Sequence, residues 1–91
     1  SEYVGKIYKR VYSFWKTPLG AVKKSATVSF TIFSKGNISD PIIRKSTGDR
    51  NLDSIAVTAV LDSAPFSPIP DALNKTNLKI NIVFKYVPKE T

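Results

Sequence analysis

Ninety-one residues, 42% hydrophobic and 23% charged, suit one domain built around one core. Fourteen Lys and Arg against seven Asp and Glu leave a net charge of +7, which favours acidic partners such as nucleic acid, anionic lipid or an acidic protein. With no cysteine and no histidine, the chain can form neither a disulfide nor a thiolate or imidazole metal site, and it has no imidazole base.

Residues 3–16 carry Val4, Ile7, Tyr8, Val11, Phe14 and Trp15 at three- and four-residue spacing, which predicts an amphipathic helix. Lys6, Lys9, Arg10, Ser13 and Lys16 fall mostly on its other face. Thr17-Pro18 and Gly20 mark its end, because proline disfavours helix in the residue before it. A basic face beside Tyr, Phe and Trp also suits an interfacial membrane helix. The expectation is instead a core-covering helix, since a three-stranded sheet needs those rings for its stability.

Residues 26–34 alternate: Ala26, Val28, Phe30 and Ile32 point one way, and Thr27, Ser29 and Thr31 the other. Phe33 breaks the alternation, which places it at a bulge or on the open face. Lys35-Gly36-Asn37 signals a hairpin turn with Gly36 at positive φ. The second strand is expected over 38–46. Pro41 within it cannot donate to a ladder, so it reads as an edge or bulged strand.

A polar loop over 46–51 leads to a second helix at 51–63, capped by Asn51 or Asp49. Leu52, Ile55, Ala56, Ala59 and Val60 form its buried stripe, and the two small alanines allow close approach to the sheet. Pro65 ends it, and prolines 65, 68 and 70 hold the return path extended. The alternating segment from Leu78 to Tyr86 then predicts a last strand over 78–87.

The expected fold is α+β in the order α-β-β-α-β. It has a three-stranded antiparallel sheet of order 2-1-3 with both helices on one face. A crossover of ordinary hand brings the third strand beside the first and leaves it at an edge. An edge strand offers unpaired N–H and C=O groups to another chain. The candidate partner-binding residues are therefore Leu78, Lys79, Ile80, Asn81, Ile82, Val83, Phe84, Lys85 and Tyr86.

No catalytic, cofactor or metal site is expected. No serine sits in a nucleophile elbow, and no glycine-rich loop could cradle a phosphate. Asp49 and Asp53 at one helix end read as cap and dipole complement. The alternative function is a small basic nucleic-acid-binding module. Against it, Phe30, Phe84 and Tyr86 share the helix-covered face and cannot serve as stacking platforms. No run of residues nears the roughly 18 apolar positions that span a bilayer, and no signal-peptide pattern or initiator Met is present. The expectation is a single domain over 1–91, cut from a longer protein whose anchor lies outside it.

Several local patterns, in this order, resemble the C-terminal domains of the TonB/TolA family of bacterial envelope proteins. Tyr8, Trp15 and Pro18 resemble that family's first helix and its Trp-x-x-Pro exit. Val28, Phe30, Ile32, Gly36 and Ile38 resemble its hairpin, and Lys45-Ser46-Thr47-Gly48 with Leu52-Asp53, Ala56 and Ala59-Val60 its second-helix entry. Ala64-Pro65-Phe66-Ser67-Pro68-Ile69-Pro70 resembles its proline run, and Leu78, Ile80, Ile82 and Phe84 its closing strand. Asp40-Pro41 departs from the pattern where pairing is expected.

The resemblance implies a periplasmic domain tethered to the inner membrane through a spacer, coupling a proton-driven motor to outer-membrane or periplasmic partners. Those partners would be the box segment of an outer-membrane transporter or a Tol–Pal protein segment. A colicin or a filamentous phage coat protein could use the same surface. The implied contact is strand addition at the last β-strand, with no nucleic acid involved, and the same edge permits a homodimer.

Overall fold

The computed structural model describes residues 1–18 and 23–88; Gly20, expected to mark the end of the first helix, lies outside them. The elements are α1 (Glu2–Phe14), β1 (Lys24–Phe33), β2 (Ile42–Lys45), α2 (Arg50–Ser63), a 3₁₀ turn (Asp71–Leu73) and β3 (Asn77–Tyr86). The sheet has the order β2-β1-β3, with both pairings antiparallel. This is the expected α+β arrangement.

Helix α1 starts where the Ser1 hydroxyl accepts from the Val4 amide, and it ends at Trp15, whose backbone is extended. The exit comes two residues earlier than the spacing predicts. Its buried residues are Tyr3, Ile7 and Val11, while Val4, Tyr8, Phe14 and Trp15 are half-buried. Tyr3 enters the core because its hydroxyl finds a partner in the Ser67 carbonyl at 2.7 Å.

Strand β1 lies against β3 in unbroken register, from Lys24 opposite Tyr86 to Phe33 opposite Asn77. Ala26, Val28, Phe30, Ile32, Ile80, Ile82, Phe84 and Tyr86 are all buried under the helices. Phe33 lies on the open face, 40% exposed. Strand β2 is much shorter than the expected 38–46. Ile38 makes an isolated bridge to Ile32, and the regular ladder resumes only after Pro41. Proline supplies no ladder N–H, so pairing lapses around it. A register shift also falls between Thr27 and Val28, with Lys45 opposite Thr27 and Ile43 opposite Val28. Arg44 is the extra residue, so the irregularity belongs to β2.

Asp49 caps α2, accepting from the amides of Asn51 and Leu52. Asp53 holds the preceding loop, accepting from the Thr47 amide at 2.9 Å and hydroxyl at 2.7 Å, and from the Ser46 hydroxyl. Burial alone would raise the Asp53 carboxyl, but these three hydrogen bonds outweigh it and hold it below the usual carboxylate value. The far end of α2 carries no basic residue of its own. Arg10 of α1 supplies one, donating to the Ser63 carbonyl at 2.6 Å, where a cation complements the helix dipole.

The β1–β2 turn docks on the proline run. Phe66 N–H donates to the Gly36 carbonyl and Ile69 N–H to the Ser34 carbonyl. Gly36 has φ +98°, and a Cβ there would lie 1.9 Å from the Phe66 carbonyl oxygen. Phe66 itself is buried and stacks on Phe30.

Candidate partner-binding edge

The direction of each backbone group of β3 follows from β1. Thr31 accepts from the Ser39 amide and donates to the Ser39 hydroxyl, and Phe33 donates to the Asn37 carbonyl. Odd residues of β1 thus address β2 and its flank, and even ones address β3. Because even residues of β1 face even residues of β3, Leu78, Ile80, Ile82, Phe84 and Tyr86 spend their backbone groups on β1. Lys79, Asn81, Val83 and Lys85 turn theirs outward. Among the described residues, no strand lies beyond them.

The nine sequence-predicted residues therefore divide into two sets. The even side chains are buried or half-buried and hold the strand to the core. The odd side chains are exposed on the open face of the sheet. Only the odd set combines outward edge groups with side chains that another chain could touch.

Helix α1 lies over this edge through aromatic packing. Tyr12 and Trp15 meet the Phe84 ring edge-on at 5.8 and 5.3 Å, and Trp15 meets Tyr86 at 5.1 Å. The Tyr86 hydroxyl accepts from Trp15 Nε1 at 3.2 Å and donates to the Leu52 carbonyl at 2.6 Å, tying β3 to both helices. Tyr12, Trp15, Val83 and Lys85 line an open groove of about 590 Å³ beside the strand. Lys23, Lys24 and Lys85 meet at the end of β3 around a second depression. An approaching chain thus meets an apolar wall with positive charge at one end.

Two residues of the edge escape sequence reasoning. The Tyr8 hydroxyl donates to the Asn81 carbonyl and the Tyr12 hydroxyl to the Val83 carbonyl, each at 2.7 Å. The helical periodicity assigns Tyr8 to an apolar stripe and leaves Tyr12 out. The readable signal is their i, i+4 spacing, which matches two successive outward carbonyls of a strand.

An open three-stranded sheet, helix-covered on one face and with no strand beyond β3 among the described residues, suits a small domain that binds other proteins. A family model described as the TonB C terminal matches residues 1–84. The chain belongs to that family, and its fold is that of a TonB/TolA-type periplasmic interaction domain. It is similar to the solution structure of the Helicobacter pylori TonB C-terminal domain, with 26% identity over 99% of this chain and 84% of that one, and a TM-score of 0.77. It is also similar to TolA domain III bound to a peptide from the N-terminus of TolB, with 27% identity over 93% of this chain and 71% of that one, and a TM-score of 0.68. No curated protein sequence matches it significantly. Among the described residues, no helix is long and apolar enough to cross a membrane.

Proposed function

We propose that this domain captures an extended segment of a partner protein as a fourth strand along β3. Through that contact it links an inner-membrane proton-driven motor to outer-membrane or periplasmic partners. The observation that carries the reading is the outward row of backbone groups at Lys79, Asn81, Val83 and Lys85. Each ladder hydrogen bond nets roughly 1 kcal/mol, so a segment of six to eight residues gains useful affinity from backbone alone. Lys79 and Lys85 favour carboxylates on the segment and speed its approach. The peptide bound to the similar TolA domain supports a linear partner. A tether to the inner membrane completes the proposal, since a coupling domain needs an anchor to pull against.

Cysteine mapping tests this cleanly, because the chain has none of its own. Lys79→Cys, Val83→Cys and a control, Arg44→Cys on β2, are mixed with cysteine-scanned peptides. The peptides copy the TolB N-terminal segment or a transporter box segment. Disulfides that form at 79 and 83 in a two-residue register, and not at 44, support strand addition to β3. Equal capture at 44, or none at β3, refutes it.

A further inference from the structure

We propose that Tyr8 and Tyr12 form a displaceable latch that closes the partner-binding edge of the free domain. The inference rests on the strand-addition reading and adds its regulation. Four helical residues rise about 6 Å and two strand residues span about 6.6 Å. A helix running alongside a strand therefore matches residues i and i+4 to successive outward carbonyls. Tyr8 meets Asn81 and Tyr12 meets Val83, so α1 and β3 run in the same direction. The next positions of the series break the match. Val4 opposite Lys79 has no side-chain donor, and among the described residues the Lys16 ammonium makes no hydrogen bond to Lys85. The latch spans the middle of the edge and leaves its ends open.

The two hydroxyls fill the two middle acceptors of the edge, the Asn81 and Val83 carbonyls, and leave its donors free. An incoming strand needs both, because a ladder exchanges N–H and C=O at each bonded residue. A second copy of the chain, pairing β3 against β3, meets the same obstacle, so the latch also guards against edge-to-edge association. A partner must free the Asn81 and Val83 carbonyls as it zips along the strand. Tyr12 is 41% exposed and sits in the wall of an open groove, so its hydroxyl can exchange the Val83 carbonyl for water.

The test uses Tyr8→Phe, Tyr12→Phe and the double variant, which keep both rings and remove only the hydroxyls. Free domains are compared first, by the backbone carbonyl ¹³C shifts of Asn81 and Val83. Each single variant moves only its own carbonyl if the latch exists in solution, and unmoved shifts overturn it. Affinity for a synthetic peptide copying the TolB N-terminal segment is measured next. Loss of a competing hydrogen bond tightens binding roughly two- to tenfold per hydroxyl, and the two effects multiply in the double variant. Equal affinity means that the carbonyls serve both donors at once, and weaker affinity means that the hydroxyls hold the partner; either overturns the latch. A peptide bound by no variant refutes strand addition by that segment. The latch is then decided by the carbonyl shifts together with self-association of the double variant in sedimentation.

Discussion

Tyr86→Phe isolates the bonds that fasten β3 to both helices. The residue is fully buried, so the change leaves packing intact and deletes one oxygen. That oxygen makes two hydrogen bonds, to the Leu52 carbonyl and from Trp15 Nε1. The Leu52 carbonyl lies inside α2 and keeps its helical partner, so its loss is that of one net bond, about 1 kcal/mol. Trp15 Nε1 is left without an acceptor in a half-buried site, which adds about 1–2 kcal/mol. The expected destabilisation is about 2–3 kcal/mol. Urea unfolding should show a midpoint lower by roughly 1–2 M, with the slope unchanged. In a chain of this size the melting temperature should fall by roughly 10–20 °C. Trp15→Phe then closes a double-mutant cycle, in which the two losses must be strongly non-additive. A loss below about 0.5 kcal/mol, or simple additivity, refutes the reasoning.

Gly36→Ala places a side chain at positive φ and against the Phe66 carbonyl, so it should cost at least about 3 kcal/mol in denaturant unfolding; a near-neutral result contradicts the docked turn. Burial raises the phenols of Tyr3 and Tyr86, and raises Tyr12, whose neighbour Tyr8 adds to the effect. A folded-state pKa above the unfolded value means that this stability is whole below about pH 10 and is lost as pH climbs through the raised values. Stability should therefore fall steeply on the alkaline side, and the Tyr→Phe variants should show a shallower fall; an equally steep fall in them refutes the assignment. Lys79→Glu with Lys85→Glu should slow association of an acidic peptide roughly tenfold at low salt, with the gap closing at high salt. An unchanged on-rate in surface plasmon resonance removes those side chains from the recognition.

The sheet order was legible from the hairpin together with the hand of the crossover that brings β3 beside β1. The turn at Gly36 fixed the hairpin, and the alternation from Leu78 to Tyr86 fixed which face of the last strand is buried. The edge position and irregularity of β2 were legible from Pro41, but its length was not, because the missing N–H ends regular pairing on its side of Ile42 rather than interrupting it locally. Tyr3 fell outside the expected stripe, since a ring with a hydroxyl at the helix start reads as exposed until a carbonyl such as that of Ser67 receives it. The edge itself was anticipated, but its division into inner and outer residues required the register with β1. The bonds of Tyr8 and Tyr12 depend on how α1 lies relative to β3. Nothing in a helical period specifies that angle, so the occupied carbonyls at Asn81 and Val83 became visible only with the fold in place.

Amide hydrogen exchange along β3 tests the central claim most directly. In the free domain, the amides of Ile80, Ile82 and Phe84 should exchange slowly and those of Asn81 and Val83 quickly; binding of a partner peptide should make the alternation vanish as both sets become slow. Slow exchange at Asn81 and Val83 in the free domain, or fast exchange that persists when the peptide is bound, would contradict an edge that recruits a fourth strand.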